Sequence, residues 1–205
     1  MKVIIEKYFE TIRKLFLGIG IKSLTMDDIC NELGISKKTL YKEYTDKREL
    51  VTEVFLKDFY DFKTKLISAQ KNSPNAIAET CILFKLIAEK QNSLSLSSLF
   101  DLRKYYHLLF DDITGLMNYL ILETISGTIN RGITEKNFRE DIEPPTIAAI
   151  MSFIFNSIIL QQLNDNTHNS ISLSDSDILD YHFKSICSQQ GLELWSTIKH
   201  NKASC

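Results

Sequence analysis

The sequence predicts an all-α protein, and three observations carry that prediction. Apolar residues recur three and four positions apart through most of the chain instead of alternating. Only seven glycines and three prolines punctuate 205 residues, too few for the turns of an all-β fold. Polar residues followed three places later by an acid mark helix starts at Thr25 with Asp28 and at Asp46 with Glu49. The expected architecture is about nine helices: a three-helix head over residues 1–47 and a helical body over residues 48–205.

The first helix is read over residues 3–17. Ile5, Tyr8, Phe9, Ile12, Leu15, Phe16 and Ile19 form one stripe, and Lys7, Glu10, Arg13 and Lys14 lie opposite. Gly18 and Gly20 end it, and 21–24 link it to the next.

The stretch from Thr25 to Leu50 organises the rest. Ile29 and Leu33 sit one helical turn apart, and Leu40 and Tyr44 repeat that spacing beyond Gly34-Ile35-Ser36. Gly34 can adopt the positive φ that closes a helix, and Ser36 can cap the next one. Two short helices with facing apolar stripes, joined by such a turn, are helix-turn-helix punctuation. A third helix starts at Lys47. Outward on the second short helix stand Lys37, Lys38, Thr39, Tyr41 and Lys42. Lysines neutralise phosphates, and threonine and tyrosine hydroxyls reach base edges or backbone oxygens, so this face suits a DNA major groove. A helix N-terminus at Lys47 adds N–H groups for phosphate.

This stretch resembles the N-terminal head of the tetracycline-repressor (TetR) family of bacterial regulators. Gly20, Thr25, Ile29, Leu33, Gly34, Ile35, Ser36, Leu40, Tyr41, Tyr44, Lys47 and Leu50 fall in the family's order and spacing. Cys30 and Glu32 stand where the family has small alanines, and Glu43-Tyr44 replaces its aromatic-Phe pair. The resemblance implies phosphate contacts at Thr25, Tyr41 and Lys47. The expected DNA-binding set is Thr25, Ser36, Lys37, Lys38, Thr39, Tyr41, Lys42, Tyr44 and Lys47.

From Lys47 a long helix runs through Leu50, Val51, Val54, Phe55, Phe59 and Phe62 towards Ala69, joining head to body without a flexible linker. Further helices are read at Asn75–Gln91, about Leu96–Tyr106, His107–Arg131, Pro144–Leu163 and Ser174–His200, with Gly132 opening a polar connection that runs to Glu143. Pro144 and Pro145 suit a first turn. The helix they open is apolar on nearly every side and needs burial all round, yet Ser152, Asn156, Ser157 and Gln161 interrupt it short of a membrane span.

The resemblance implies a homodimer closed by a four-helix bundle of the last two long helices, with Ile150, Phe153, Ile154, Ser157, Ile158, Phe183, Ile186 and Leu194 as interface candidates. Two heads would meet a pseudo-palindromic double-stranded operator about 34–36 Å apart. It further implies a small-molecule effector that releases DNA, and Phe84, Phe100, Tyr106, Phe110, Met117 and Leu120 are candidates for its pocket.

Composition agrees with a globular protein: 44% hydrophobic and 24% charged residues, with a net charge of −2. The first fifty residues carry +2 and the remainder −4, so any basic surface is local rather than general. Four cysteines without C-x-x-C spacing suggest neither a zinc site nor a disulfide framework, and with no leader-like segment they point to the cytoplasm. Isolated histidines, the adjacent Asp111 and Asp112, and the absence of nucleophile, phosphate-loop or dinucleotide motifs give no reason to expect an enzyme, cofactor or metal. The expected function is a homodimeric repressor released by an apolar or amphipathic effector. The alternative is a helical ligand-binding or adaptor protein that has lost sequence-specific DNA recognition, against which Lys37, Lys38, Lys42 and Lys47 argue.

Overall fold

The computed structural model describes residues 2–93, 95–163 and 175–200, with side chains omitted at 155–163, 175, 176 and 200. The described residues form ten helices: α1 (Val3–Ile19), α2 (Met26–Leu33), α3 (Lys37–Glu43), α4 (Lys47–Asn72), α5 (Ala76–Asn92), α6 (Leu96–Tyr105), α7 (His107–Thr134), α8 (Pro144–Leu163), α9 (Asp175–Ile186) and α10 (Gln189–His200). The all-α expectation holds, with one helix more than anticipated. The extra helix arises because Ser174–His200 is broken at Cys187-Ser188. Cys187 forms an isolated antiparallel bridge with Phe138, and the Ser188 hydroxyl caps α10 by accepting from Gly191 N–H at 3.1 Å. A second difference is at Gly132, expected in a connection but lying within α7, which runs on to Thr134. The Gly132 carbonyl accepts from the N–H groups of Asn137 (2.9 Å) and Phe138 (3.0 Å), which turns the chain out of the helix.

The chain divides into two compact units, Met1–Phe62 with Asn92–Met117 and Lys63–Gln91 with Asn118–Cys205. In the first, Ile5, Ile12, Phe16, Ile21, Ile29, Leu40, Tyr44, Leu50 and Val51 are fully buried in one core. Tyr106, Leu109 and Phe110 pack on the same core. The Ser98 hydroxyl donates to the Phe16 carbonyl, and Asp101 accepts from Lys22 N–H at 2.7 Å. These bonds hold α6 against the end of α1 and the turn that follows it, satisfying carbonyl and N–H groups a helix end leaves open.

In the second unit, Glu79 is 2% exposed. Its carboxylate accepts from the Arg131 guanidinium at 2.7 Å and from the Thr128 hydroxyl. Arg131 also donates to the carbonyls of Gln70 (3.3 Å) and Ser73 (3.0 Å) and to Glu135 at 2.6 Å. One guanidinium thereby ties the last turn of α4, the first turns of α5 and the end of α7, meeting the need of a buried carboxylate for a charged partner. Around Trp195, whose ring lies 4.4 Å from that of Phe183, α9 and α10 close into a second apolar cluster with Ile178, Leu179 and Ile186. Among the described residues, no helix is long and apolar enough to cross a membrane.

Candidate nucleic-acid interface

The local sequence fixes α2 and α3 by capping. Asp28 N–H donates to the Thr25 hydroxyl oxygen at 3.1 Å, and Thr25 N–H and hydroxyl donate to the Asp28 carboxylate at 2.8 and 2.7 Å. These bonds hold the Asp28 carboxyl below its usual range. At the other end Gly34 takes φ 63°, ψ 33°, and its N–H returns to the Asn31 carbonyl at 3.2 Å. A β-carbon is disfavoured in that conformation, so glycine belongs there. Thr39 N–H then donates to the Ser36 hydroxyl at 3.1 Å, and the two hydroxyls lie 2.8 Å apart. For α4, Asp46 accepts from Glu49 N–H at 2.9 Å and Glu49 accepts from Thr45 N–H at 2.8 Å.

With α3 anchored through fully buried Leu40, its remaining side chains form one exposed face: Ser36, Lys37, Lys38, Thr39, Tyr41 and Lys42. Thr25, at the start of α2, is exposed as well. The face is not uniformly free, because the Lys37 ammonium lies 2.6 Å from the Asp27 carboxylate. That hydrogen bond raises the Lys37 pKa.

Two expected contacts are placed differently. Tyr44 is fully buried, and burial pushes its phenol pKa well up; it fills the head core under the Lys2 ammonium, 4.1 Å from the ring centre. Lys47 is half-buried, and its ammonium donates to the carbonyls of Leu24 and Lys22, with burial lowering its pKa. Its visible work is to pin the turn before α2. Asp27 is the residue that sequence reasoning missed, since nothing in the spacing says that an acid ten positions earlier meets Lys37.

The body candidates separate. Phe84 is buried and lines a small void in the second unit. Phe100 is 61% exposed, Tyr106 and Phe110 pack on the head core, and Met117 and Leu120 are half-buried. Of the interface candidates, Ile150 and Phe153 are exposed, and Ile154 and Leu194 are half-buried. Phe183 and Ile186 are buried within their own unit and present no free surface. The side chains of Ser157 and Ile158 lie outside the described residues.

A capped three-helix head with a short basic helix held outward defines a helix-turn-helix protein. Residues 9–54 match the family model for bacterial regulatory proteins of the tetR family. The chain is 35% identical over 60 residues to an HTH-type transcriptional regulator of Staphylococcus aureus; the match covers 29% of this chain and 32% of that one, so it spans about a third of the relative's length. Among solved structures, a transcriptional regulator from Cytophaga hutchinsonii superposes with a TM-score of 0.67 at 20% identity, covering 89% of this chain and 98% of that one. FadR from Bacillus subtilis, solved in complex with stearoyl-CoA, gives 0.65 at 12% identity, covering 88% and 98%. The head thus matches the tetR family over residues 9–54, and the fold as a whole is that of the solved transcriptional regulators it superposes on.

Proposed function

We propose that the chain is a DNA-binding transcriptional repressor of the cytoplasm that works as a homodimer and leaves its operator when a small apolar or amphipathic effector binds. The observation that carries this reading is the outward face of α3, where Lys38, Thr39, Tyr41 and Lys42 are exposed around a buried Leu40 anchor. In a major groove, Lys38 and Lys42 would neutralise phosphates, Thr39 would meet a base edge, and the Tyr41 hydroxyl would donate to a phosphate oxygen. Thr25 and Ser36, exposed while capping their helices, would add hydroxyl contacts to the DNA backbone. Lys37 can join them by exchanging Asp27 for a phosphate.

Residues 1–47 supply the contact in this reading, and residues 48–205 supply dimerisation and effector binding. Ile150 and Phe153, exposed and three positions apart on α8, share one apolar strip of that helix, which favours pairing of two copies through it. The stearoyl-CoA held by the Bacillus subtilis neighbour supports an effector with a large apolar part. Release would follow from differential affinity: an effector that prefers a state poorly matched to DNA weakens DNA binding by the factor that DNA weakens effector binding.

The test is a gel shift with DNA from upstream of the chain's own gene, repeated across a salt series. Wild type is expected to shift a discrete fragment. Lys42→Ala is expected to bind more weakly, with a salt slope shallower by about one phosphate contact. A chain indifferent to DNA at low salt would refute the reading and favour the adaptor alternative.

A further inference from the structure

In the first unit, cations from three separate segments gather around Tyr105 at the end of α6. The Lys22 ammonium, from the turn between α1 and α2, lies 5.3 Å from the Tyr105 ring centre. Lys104 Nζ lies 5.4 Å from the same ring and 5.4 Å from that of Phe100. Arg48, in the first turn of α4, donates to the Tyr105 carbonyl at 3.4 Å and stands 5.1 Å from the Tyr106 ring. All three cations are exposed, and none forms an ion pair among the described residues. The two lysines, Lys22 foremost, draw the Tyr105 phenol pKa below its usual value. The acids nearby are already engaged: Asp101 accepts from Lys22 N–H at 2.7 Å and Asp46 from Glu49 N–H at 2.9 Å. Aromatic faces attract the ammonium groups and hold their long stems in place. The repulsion among charges gathered in this way is relieved by an anion.

The cluster is continuous with the candidate DNA interface. Lys22 stands three residues before the exposed Thr25, and Lys47 donates to the carbonyls of Lys22 and Leu24, fixing the turn between the cluster and α2. Asp101 and Ser98 bind α6 to that turn and to the end of α1. Lys104 and Tyr105 are thereby carried by the same compact unit as α3. A duplex repeats its phosphates along both strands, so a protein seated in one groove meets further phosphates at its margin. We propose that Lys22 and Lys104, ordered by the Tyr105 ring and with the Arg48 charge beside them, grip a backbone phosphate of duplex DNA outside the segment that α3 reads. This contact rests on the DNA-binding reading and extends it, adding affinity that carries no sequence information.

The test follows the full chain by gel shift on the upstream fragment and on an unrelated duplex of equal length, across a salt series. Lys22→Ala combined with Lys104→Ala is expected to weaken binding to both duplexes alike, about three- to tenfold at about 0.1 M salt, with a salt slope shallower by about one to two counterions per subunit. Both side chains are exposed, so the melting temperature should stay that of wild type. Lys22→Arg combined with Lys104→Arg keeps the charge and should bind as wild type does. Ethylating single phosphates of the upstream fragment locates the contact in the wild type itself. Interference is expected at phosphates beyond the bases whose replacement weakens the complex, and the double alanine variant should lose it at those outer phosphates alone. Unchanged affinity and slope in the double alanine variant, a loss confined to the upstream fragment, binding that the arginine pair fails to restore, or wild-type interference that ends at those bases would overturn this contact. A wild type that shifts neither duplex at low salt removes the DNA-binding reading and this contact with it, whereas a wild type that binds no better than the double alanine variant removes this contact alone.

Discussion

The Lys37 ammonium lies 2.6 Å from the Asp27 carboxylate, joining the first turn of α3 to the first turn of α2. Both side chains are more than half exposed, so the pair contributes little to stability. Its effect falls on the basic face, where it neutralises one of three exposed lysines. Asp27→Asn is therefore expected to leave the melting temperature almost unchanged and to tighten operator binding several-fold. The salt dependence should steepen by about one phosphate contact, read from gel shifts at several salt concentrations.

Leu40 separates anchoring from contact. It is fully buried, so Leu40→Ala is expected to cost about 2–5 kcal/mol in denaturant unfolding and to abolish DNA binding by releasing α3. Lys42 is exposed beside it, and Lys42→Ala should change stability by less than about 0.5 kcal/mol while still weakening the complex. A stability loss in both variants would mean that the two roles are not separable.

The head was legible because its signals are local. Thr25 with Asp28, Gly34, and Ser36 each act within four residues, and α2 and α3 begin and end where those residues place them. The surface of the head was less legible. Tyr44 repeats the spacing of Leu40 and is core, but a tyrosine beside lysines also looks like a contact until its burial is seen. The break between α9 and α10 was hidden because its cause is distant: Cys187 bridges to Phe138, and Ser188 N–H donates to the Asn137 carbonyl at 3.0 Å. The pairing of Glu79 with Arg131 was hidden likewise, across 52 positions. Periodicity marked Phe183 and Ile186 as apolar, and both are buried, but an apolar stripe does not say whether it faces its own unit or another copy.

Close approach makes Gly191 a sharp test of that distant packing. A β-carbon there would meet the Asn137 carbonyl oxygen at 1.9 Å, and backbone cannot swing aside as a long side chain can. Gly191→Ala is expected to destabilise by about 3 kcal/mol or more, lowering the melting temperature by roughly 6–12 °C. Gly115, within α7, has nothing within 4 Å of the same added carbon. Gly115→Ala should stabilise by up to about 1 kcal/mol.

His182 sets a pH window. Its pKa falls from 6.5 to about 4 on folding, so below pH 6.5 the unfolded chain binds the proton that the folded chain refuses. Stability is therefore expected to fall as the pH drops from 6.5 towards 4, by up to about 3 kcal/mol. His182→Phe should flatten urea midpoints across that interval. Asp180 and Glu49, whose carboxyls are held low by lysine partners, give up their contributions only at more acid pH.

The single tryptophan sits in the second unit, its ring tilted against that of Phe183 and its indole N–H donated to Asp180 at 3.1 Å. Intrinsic emission thus watches that unit alone, while far-ultraviolet dichroism sees the helices of both. Melting the protein under the two signals at once asks, without any label, whether the DNA-facing unit and its companion come apart together or in turn.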